Sequence, residues 1–265
     1  MAELDRRSVL TAGGLIGLGA VLAACSGQQQ RTAAPGTTSA SAPAYAPATS
    51  TAPPPPSPVD LLAGAGTCML TPETIAGPTW FDAHAVRSDI REGRPGTALD
   101  LAFRVEHAGP CTPVPDAVVD LWQCDAQGIY SGFAHAAPGQ GGGAGGVDEY
   151  GDKESAATTQ ERFLRGTQVT DAGGLVQFAT VYPGWYPTRT AHLHLKVHLD
   201  GKTVLTGQLF FDDAITDGVY AADPYAQHPG RDTRNDRDHF FSPKAVLTLA
   251  PDGARWLGAL VLGVP

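Results

Sequence analysis

The chain has 265 residues, of which 42% are hydrophobic, and carries a net charge of −9. That is enough apolar material for a single sizeable core. An acidic chain with no basic run argues against nucleic acid as a partner.

In chain order, Arg6-Arg7-Ser-Val-Leu10 opens a leader that continues as a Gly/Ala/Leu-rich apolar stretch to Cys25. A twin arginine before such a stretch reads as an export signal over residues 1–25. The apolar run is short and Gly-rich for a membrane span. Leu22-Ala-Ala-Cys25 reads as a lipobox, which would leave an acylated Cys25 at the mature end of an exported, surface-tethered or extracellular protein. Residues 26–66 are rich in Ser, Thr, Ala, Pro and Gln, with four consecutive prolines at Pro53–Pro56, and read as a tether. Residues 67–265 read as the folded domain.

Within that domain, alternating or apolar runs near 97–107, 116–124, 163–170, 174–182, 190–199, 202–212, 245–250 and 255–263 are separated by Gly/Pro turns. This spacing predicts an all-β chain built as a β-sandwich of mixed or antiparallel sheets with long loops at one end. Asp171-Ala-Gly-Gly174 joins two of the runs and predicts a hairpin. Residues 133–160 include Gly139-Gln-Gly-Gly-Gly-Ala-Gly-Gly146 and read as a long loop, either a lid or an insertion. Cys68 and Cys111 lie in loop-like stretches, and export makes a Cys68–Cys111 disulfide the favoured pairing. Cys124 ends an apolar strand and reads as a buried thiol.

Ala191-His-Leu-His-Leu-Lys-Val-His-Leu199 alternates with a period of two, so His192 and His194 share one face of a strand. Two imidazoles so placed can grip one ion, although an H-x-H pair alone is a weak metal signal. His198 shares that face but lies roughly 13 Å beyond His194 at ~3.3 Å per residue, and reads as an ordinary surface or sheet residue. Tyr186 sits in a Pro183-Gly-Trp-Tyr-Pro187 bend ahead of the strand. Tyr130 sits where a strand gives way to the Asp125-Ala-Gln-Gly128 turn. On these residues alone, a zinc hydrolase, a copper site and a non-catalytic secreted binding module all stay open. The zinc reading lacks an activating carboxylate at fixed spacing.

Several segments together resemble the intradiol ring-cleavage dioxygenases. They are Leu70-Thr-Pro-Glu73 with Gly77-Pro78, Ser88-Asp-Ile-Arg-Glu-Gly93, and Asp120-Leu-Trp-Gln-Cys-Asp-Ala-Gln-Gly-Ile-Tyr-Ser-Gly132. Further along come Phe163-Leu-Arg-Gly166, Tyr182-Pro-Gly-Trp-Tyr186, Arg189, His192-Leu-His194 and Gln208. The resemblance spans about residues 68 to 241 and is similar to the exported bacterial branch, since residues 26–67 leave no room for an added helical domain. It implies a non-haem Fe(III) held by Tyr130, Tyr186, His192 and His194, with a catechol and O2 as substrates and a cis,cis-muconate as product. It also implies that Tyr186 and His194 are axial, and that substrate displaces Tyr186, which then helps to take up a substrate proton. Arg189 is implied to stabilise developing negative charge and Gln208 to assist by hydrogen bonding. Phenol has a pKa near ~10, so a hard, highly charged cation that deprotonates it suits this donor set. Gly77-Pro78, Trp185 and the 133–160 loop are the expected walls of the substrate pocket.

Overall fold

The structure is a computed structural model that describes residues 56–64 and 69–265. All of these fall within one unit, Pro53–Pro265. The strands are β1 (Ala98–His107), β2 (Thr112–Pro113), β3 (Val118–Trp122), β4 (Ala144–Val147), β5 (Lys153–Ser155), β6 (Arg165–Val169), β7 (Leu175–Val181), β8 (His192–Leu199), β9 (Lys202–Phe210), β10 (Thr248–Asp252) and β11 (Arg255–Val264). Among the described residues one α-helix, α1 (Asp213–Tyr220), follows β9.

Two sheets face each other. The first runs β10-β11-β1-β2, with β7 also on β1; β1 and β11 are parallel and the other pairs antiparallel. The second is antiparallel, in the order β6-β3-β8-β9. Leu99, Leu101, Phe103 and Val105 of β1 meet Leu193, Leu195 and Val197 of β8 in the core between them. Burying each such side chain contributes about 1.5–3 kcal/mol. The predicted all-β sandwich of mixed and antiparallel sheets is the observed architecture.

Because side chains alternate along a strand, the other face of β8 carries His192, His194, Lys196 and His198. All four are buried, although they point away from the inter-sheet core. Long loops cover them. Of the two readings for His198, surface or sheet residue, the second holds, in a buried position: its ring stacks on Tyr150 at 3.7 Å, Nε2 meets Asp120 Oδ2 at 2.8 Å, and Nδ1 meets Thr203 Oγ1 at 2.8 Å. Lys196 pairs with Asp152, which also accepts from Thr203 Oγ1 at 2.6 Å. A charge at this depth is tolerated because it is paired, and the pairing fastens the 148–152 turn onto the sheet.

Three further elements depart from the sequence expectation. The runs on either side of Asp171-Ala-Gly-Gly174 do not pair as a hairpin, for β6 pairs with β3 and β7 with β1. The turn itself forms, with Asp171 Oδ1 accepting from the Gly173 and Leu175 amides at 2.8 and 2.9 Å, but it carries the chain from one sheet to the other. The 202–212 run ends as a strand at Phe210, and the unexpected helix α1 follows it, started by Asp212, whose Oδ1 accepts from the Ala214 and Ile215 amides at 2.8 and 3.1 Å. Ahead of the expected boundary at residue 66, Pro58–Gly64 forms a 3-10 turn that seats Leu62 against Ala102, Ala259 and Val261. Cys124 is a buried free thiol and Cys111 is disulfide-bonded. The expected partner Cys68 lies outside the described residues, as do residues 1–25 and most of 26–66.

Candidate metal centre

Two loops bring two phenols to the histidine face of β8. After β3 the chain turns at Asp125, whose Oδ1 accepts from the Gln127 and Ile129 amides at 2.9 and 3.0 Å. Asp125 is held from outside by Arg94. This turn delivers Tyr130. The second loop, Pro183-Gly-Trp-Tyr186, delivers the other phenol, and the Gly184 amide donates to Asp125 O at 3.1 Å. Gly128 has a φ of +82°, and a Cβ there would stand 2.4 Å from Trp185 O. The two tyrosine loops thus dock backbone to backbone, a distance that only glycine permits at that position.

The four side chains converge. Tyr130 Oη lies 3.0 Å from His194 Nε2, 3.4 Å from His192 Nε2 and 3.4 Å from Tyr186 Oη. Tyr186 Oη lies 3.1 Å from His192 Nε2, and the two Nε2 atoms are 3.1 Å apart. A point enclosed by atoms at such separations lies ~2 Å from each, the length of a bond from a metal to nitrogen or oxygen. Trp122, opposite His194 across the β3–β8 pair, stacks on its ring at 4.9 Å and fixes its plane.

The protonation pattern of the cluster fits a cation. His192 Nδ1 lies 2.7 Å from Thr190 O, a carbonyl that can only accept, so Nδ1 carries the hydrogen and Nε2 turns a lone pair inward. Two inward nitrogens at 3.1 Å leave at most one hydrogen between them, and His194 Nδ1 is buried with no partner in the protein. Burial, then the Arg189 charge, holds His192 down to about 3, and burial with the neighbouring His192 holds His194 well below its ordinary value. Burial pushes the Tyr186 phenol up to about 12 and Tyr130 well above 10. Two neutral imidazoles and two phenols reluctant to ionise unaided are a donor set that a hard cation of high charge would complete. Among the described residues no group of three or more His, Cys, Asp or Glu could hold a metal.

Arg189, three residues before His192, reaches the cluster from the side. Its Nε donates to Asp238 Oδ2 at 2.8 Å, its Nη2 donates to Gln208 Oε1, and its guanidinium lies over the Phe240 ring at 4.8 Å. Gln208 faces His194 across the β8–β9 pair, and its Nε2 donates to Ile75 O at 3.1 Å. Sequence reasoning placed Arg189 and Gln208 but missed Asp238, which also accepts from the Thr190 and Phe240 amides. Asp238 lies 49 residues from Arg189 in a stretch of irregular chain, and no local pattern marks it. Arg165 lies in the Phe163–Gly166 segment. It is fully buried, with Nε and Nη2 donating to Ser131 Oγ and Ser131 O at 2.9 and 3.0 Å, which steadies the residue next to Tyr130.

A cavity of about 440 Å³ opens onto Tyr186 and His194. Gly77, Pro78, Arg189, Gln208, His228 and Phe240 contribute to its wall. The 133–160 segment is a cover packed on this site. A Cβ on Gly139 would stand 2.1 Å from the Tyr186 ring, and one on Gly141 would stand 1.6 Å from Pro78 O. The cover is held by the β4–β5 pair and by the Ser155 amide, which donates to Trp80 O at 2.6 Å. Of the expected pocket walls, Gly77, Pro78 and this segment line the cavity. Trp185 stands behind it, stacked on His228 at 4.4 Å.

No family model matches the chain. Among solved structures, an intradiol ring-cleavage dioxygenase from Tetranychus urticae is 33% identical with a TM-score of 0.66, over 74% of this chain and 94% of that one. The dioxygenase domain of a dioxygenase and carbohydrate-binding fusion from Streptomyces sp. SirexAA-E is 27% identical with a TM-score of 0.52, over 74% of this chain and 99% of that one. A chlorocatechol 1,2-dioxygenase from Rhodococcus opacus is 32% identical over 125 residues, 46% of this chain. The match spans 47% of that curated relative's length. The chain belongs to the intradiol ring-cleavage dioxygenase family.

Proposed function

We propose that this domain opens catechol-type diols with O2 between the two hydroxylated carbons, at a non-haem Fe(III) held by Tyr130, Tyr186, His192 and His194. The observation that carries this reading is the convergence of two phenol oxygens and two imidazole nitrogens within 3.0–3.4 Å of one another. When bound, the ion would ionise the phenols, take both diol oxygens and draw electron density from the ring, so that O2 can attack it.

The protein's own groups divide the remaining work. Tyr186 lines the cavity and is half-buried, whereas Tyr130 is fully buried behind it. Tyr186 is therefore the phenol that an incoming diol reaches, and its Oη is placed to accept a diol proton. Tyr130, His192 and His194 would be the residues that hold the ion. Arg189 keeps donors free beyond those given to Asp238 and Gln208, and presents them to negative charge as it builds on the substrate. Gln208 and Asp238 hold the guanidinium in place before substrate arrives. The cover around Gly139 limits the access of water to the reacting ring. The product would be a cis,cis-muconate-type acid.

Residues 1–25 support export of the protein and acylation of Cys25, with 26–66 as its tether. The disulfide at Cys111 supports pairing with Cys68 in an oxidising compartment. Purified protein from iron-supplied cells should hold about one iron per chain, be red-brown, and consume O2 when given catechol. Stoichiometric zinc in colourless protein would favour the hydrolase reading instead, stoichiometric copper the copper-site reading, and a metal-free, inactive protein a secreted binding module.

A further inference from the structure

Arg189 is the one Lys or Arg among the described residues that line the cavity. Its charge is already matched, because the side chain of Asp238 is fully buried against it. Asp232, exposed at the rim, accepts from the Thr188 amide at 3.3 Å and adds negative charge there. The whole chain carries −9, so an anion approaches against the field. The other polar side chains on the wall besides Arg189, Gln208, Tyr186 and His194 are Gln140, Thr188 and His228. His228 is held as a recognition group would be. Its ring stacks on Trp185 at 4.4 Å and 20°, and Trp185 Nε1 donates to its carbonyl at 2.9 Å. Its Nδ1 is buried with no partner in the protein, and a buried polar atom left unpaired invites a ligand group to satisfy it. A cavity of about 440 Å³ also falls in the range that accommodates more than a single ring.

We propose that this site selects uncharged catechols over carboxylated ones, and that His228 reads a hydrogen-bonding substituent on the ring. The proposal rests on the ring-cleaving function argued above and names the substrate class of that same site. An isosteric pair tests it: 3,4-dihydroxybenzamide against 3,4-dihydroxybenzoate, with catechol as the unsubstituted reference, on the iron-loaded protein. The amide is expected to exceed the carboxylate in kcat/KM by on the order of 10-fold or more, and to bind more tightly by calorimetry. Equal or better use of the carboxylate overturns the charge selection. His228→Leu should lower the amide-to-catechol ratio of kcat/KM by about 10-fold, and His228→Asn, which keeps a hydrogen-bonding group, should restore part of it. Iron content and visible absorption of both variants should match the parent. An unchanged ratio in both variants removes His228 from recognition. Tighter binding of the amide with no turnover of any diol supports the selectivity and refutes ring cleavage. Binding of neither compound overturns the selectivity, and absence of catechol turnover as well overturns ring cleavage.

Discussion

Gly184 lies against Asp125 so closely that its amide donates to Asp125 O at 3.1 Å, while a Cβ on Gly184 would stand 2.5 Å from the same oxygen. Gly128 makes the reciprocal approach to Trp185 O. Tyr130 and Tyr186 are 56 residues apart in sequence, yet the separation of their phenols is set by this backbone contact.

Gly184→Ala should therefore push the two loops apart. Overpacking of this kind costs about 1–3 kcal/mol, which for a domain of this size lowers Tm by about 2–4 °C per kcal/mol. Iron content should fall with it. Thermal unfolding and metal analysis read both quantities, and parental values in both would mean that the contact does not set the site.

The two tyrosines should behave differently when replaced. Tyr186→Phe is expected to keep iron and part of the colour, because Tyr130 still supplies a phenolate, and to bind catechols while turning over slowly. Tyr130→Phe should shift or bleach the colour of the substrate complex, in which Tyr130 is the remaining phenolate. Visible spectra with and without catechol distinguish the two. Parental iron content and activity in both variants would overturn the ligand assignment.

Arg189→Ala removes no ligand, so iron content should stay near normal while turnover drops by about 10²-fold. Asp238→Asn leaves the guanidinium present but less firmly held, and a loss of about 10-fold is expected, as for other groups that orient a reacting side chain. Full-rate turnover of Arg189→Ala would remove Arg189 from the chemistry, and with it the positioning role of Asp238.

The metal-stripped protein should become less stable in acid. His192 is held down to about 3 and His194 well below its ordinary 6.5, chiefly by burial. Between those values and about 6.5 the unfolded chain binds more protons than the folded one, so stability rises with pH through that window and levels off above it. Each ring contributes up to ~1.4 kcal/mol per pH unit. Denaturant unfolding of the stripped protein from pH 4 to 8 measures the slope, and His192→Asn should reduce it. A flat profile in the parent would contradict the burial argument.

Local pattern determined much of this protein. Period-two alternation places His192 and His194 on one face of β8, Gly/Pro punctuation separates the strands, and turn chemistry at Asp125 and Pro183 marks where the two tyrosines leave regular structure. These are short-range effects, set by a few neighbouring residues. The tertiary structure decided what depends on distant partners. Asp171–Gly174 makes the same tight turn whether it closes a hairpin or crosses between sheets, and only the competition of β3 and β1 for β6 and β7 selects the crossing. Asp238 becomes the partner of Arg189, and His228 a wall of the cavity, because the irregular chain after α1 packs back over β8. The Gly-rich 139–142 stretch becomes a cover because its lack of side chains lets it press against Tyr186 and Pro78, a contact whose other half lies tens of residues away. A pattern within one strand cannot encode which loop will lie above it, since that is settled by packing over the whole domain.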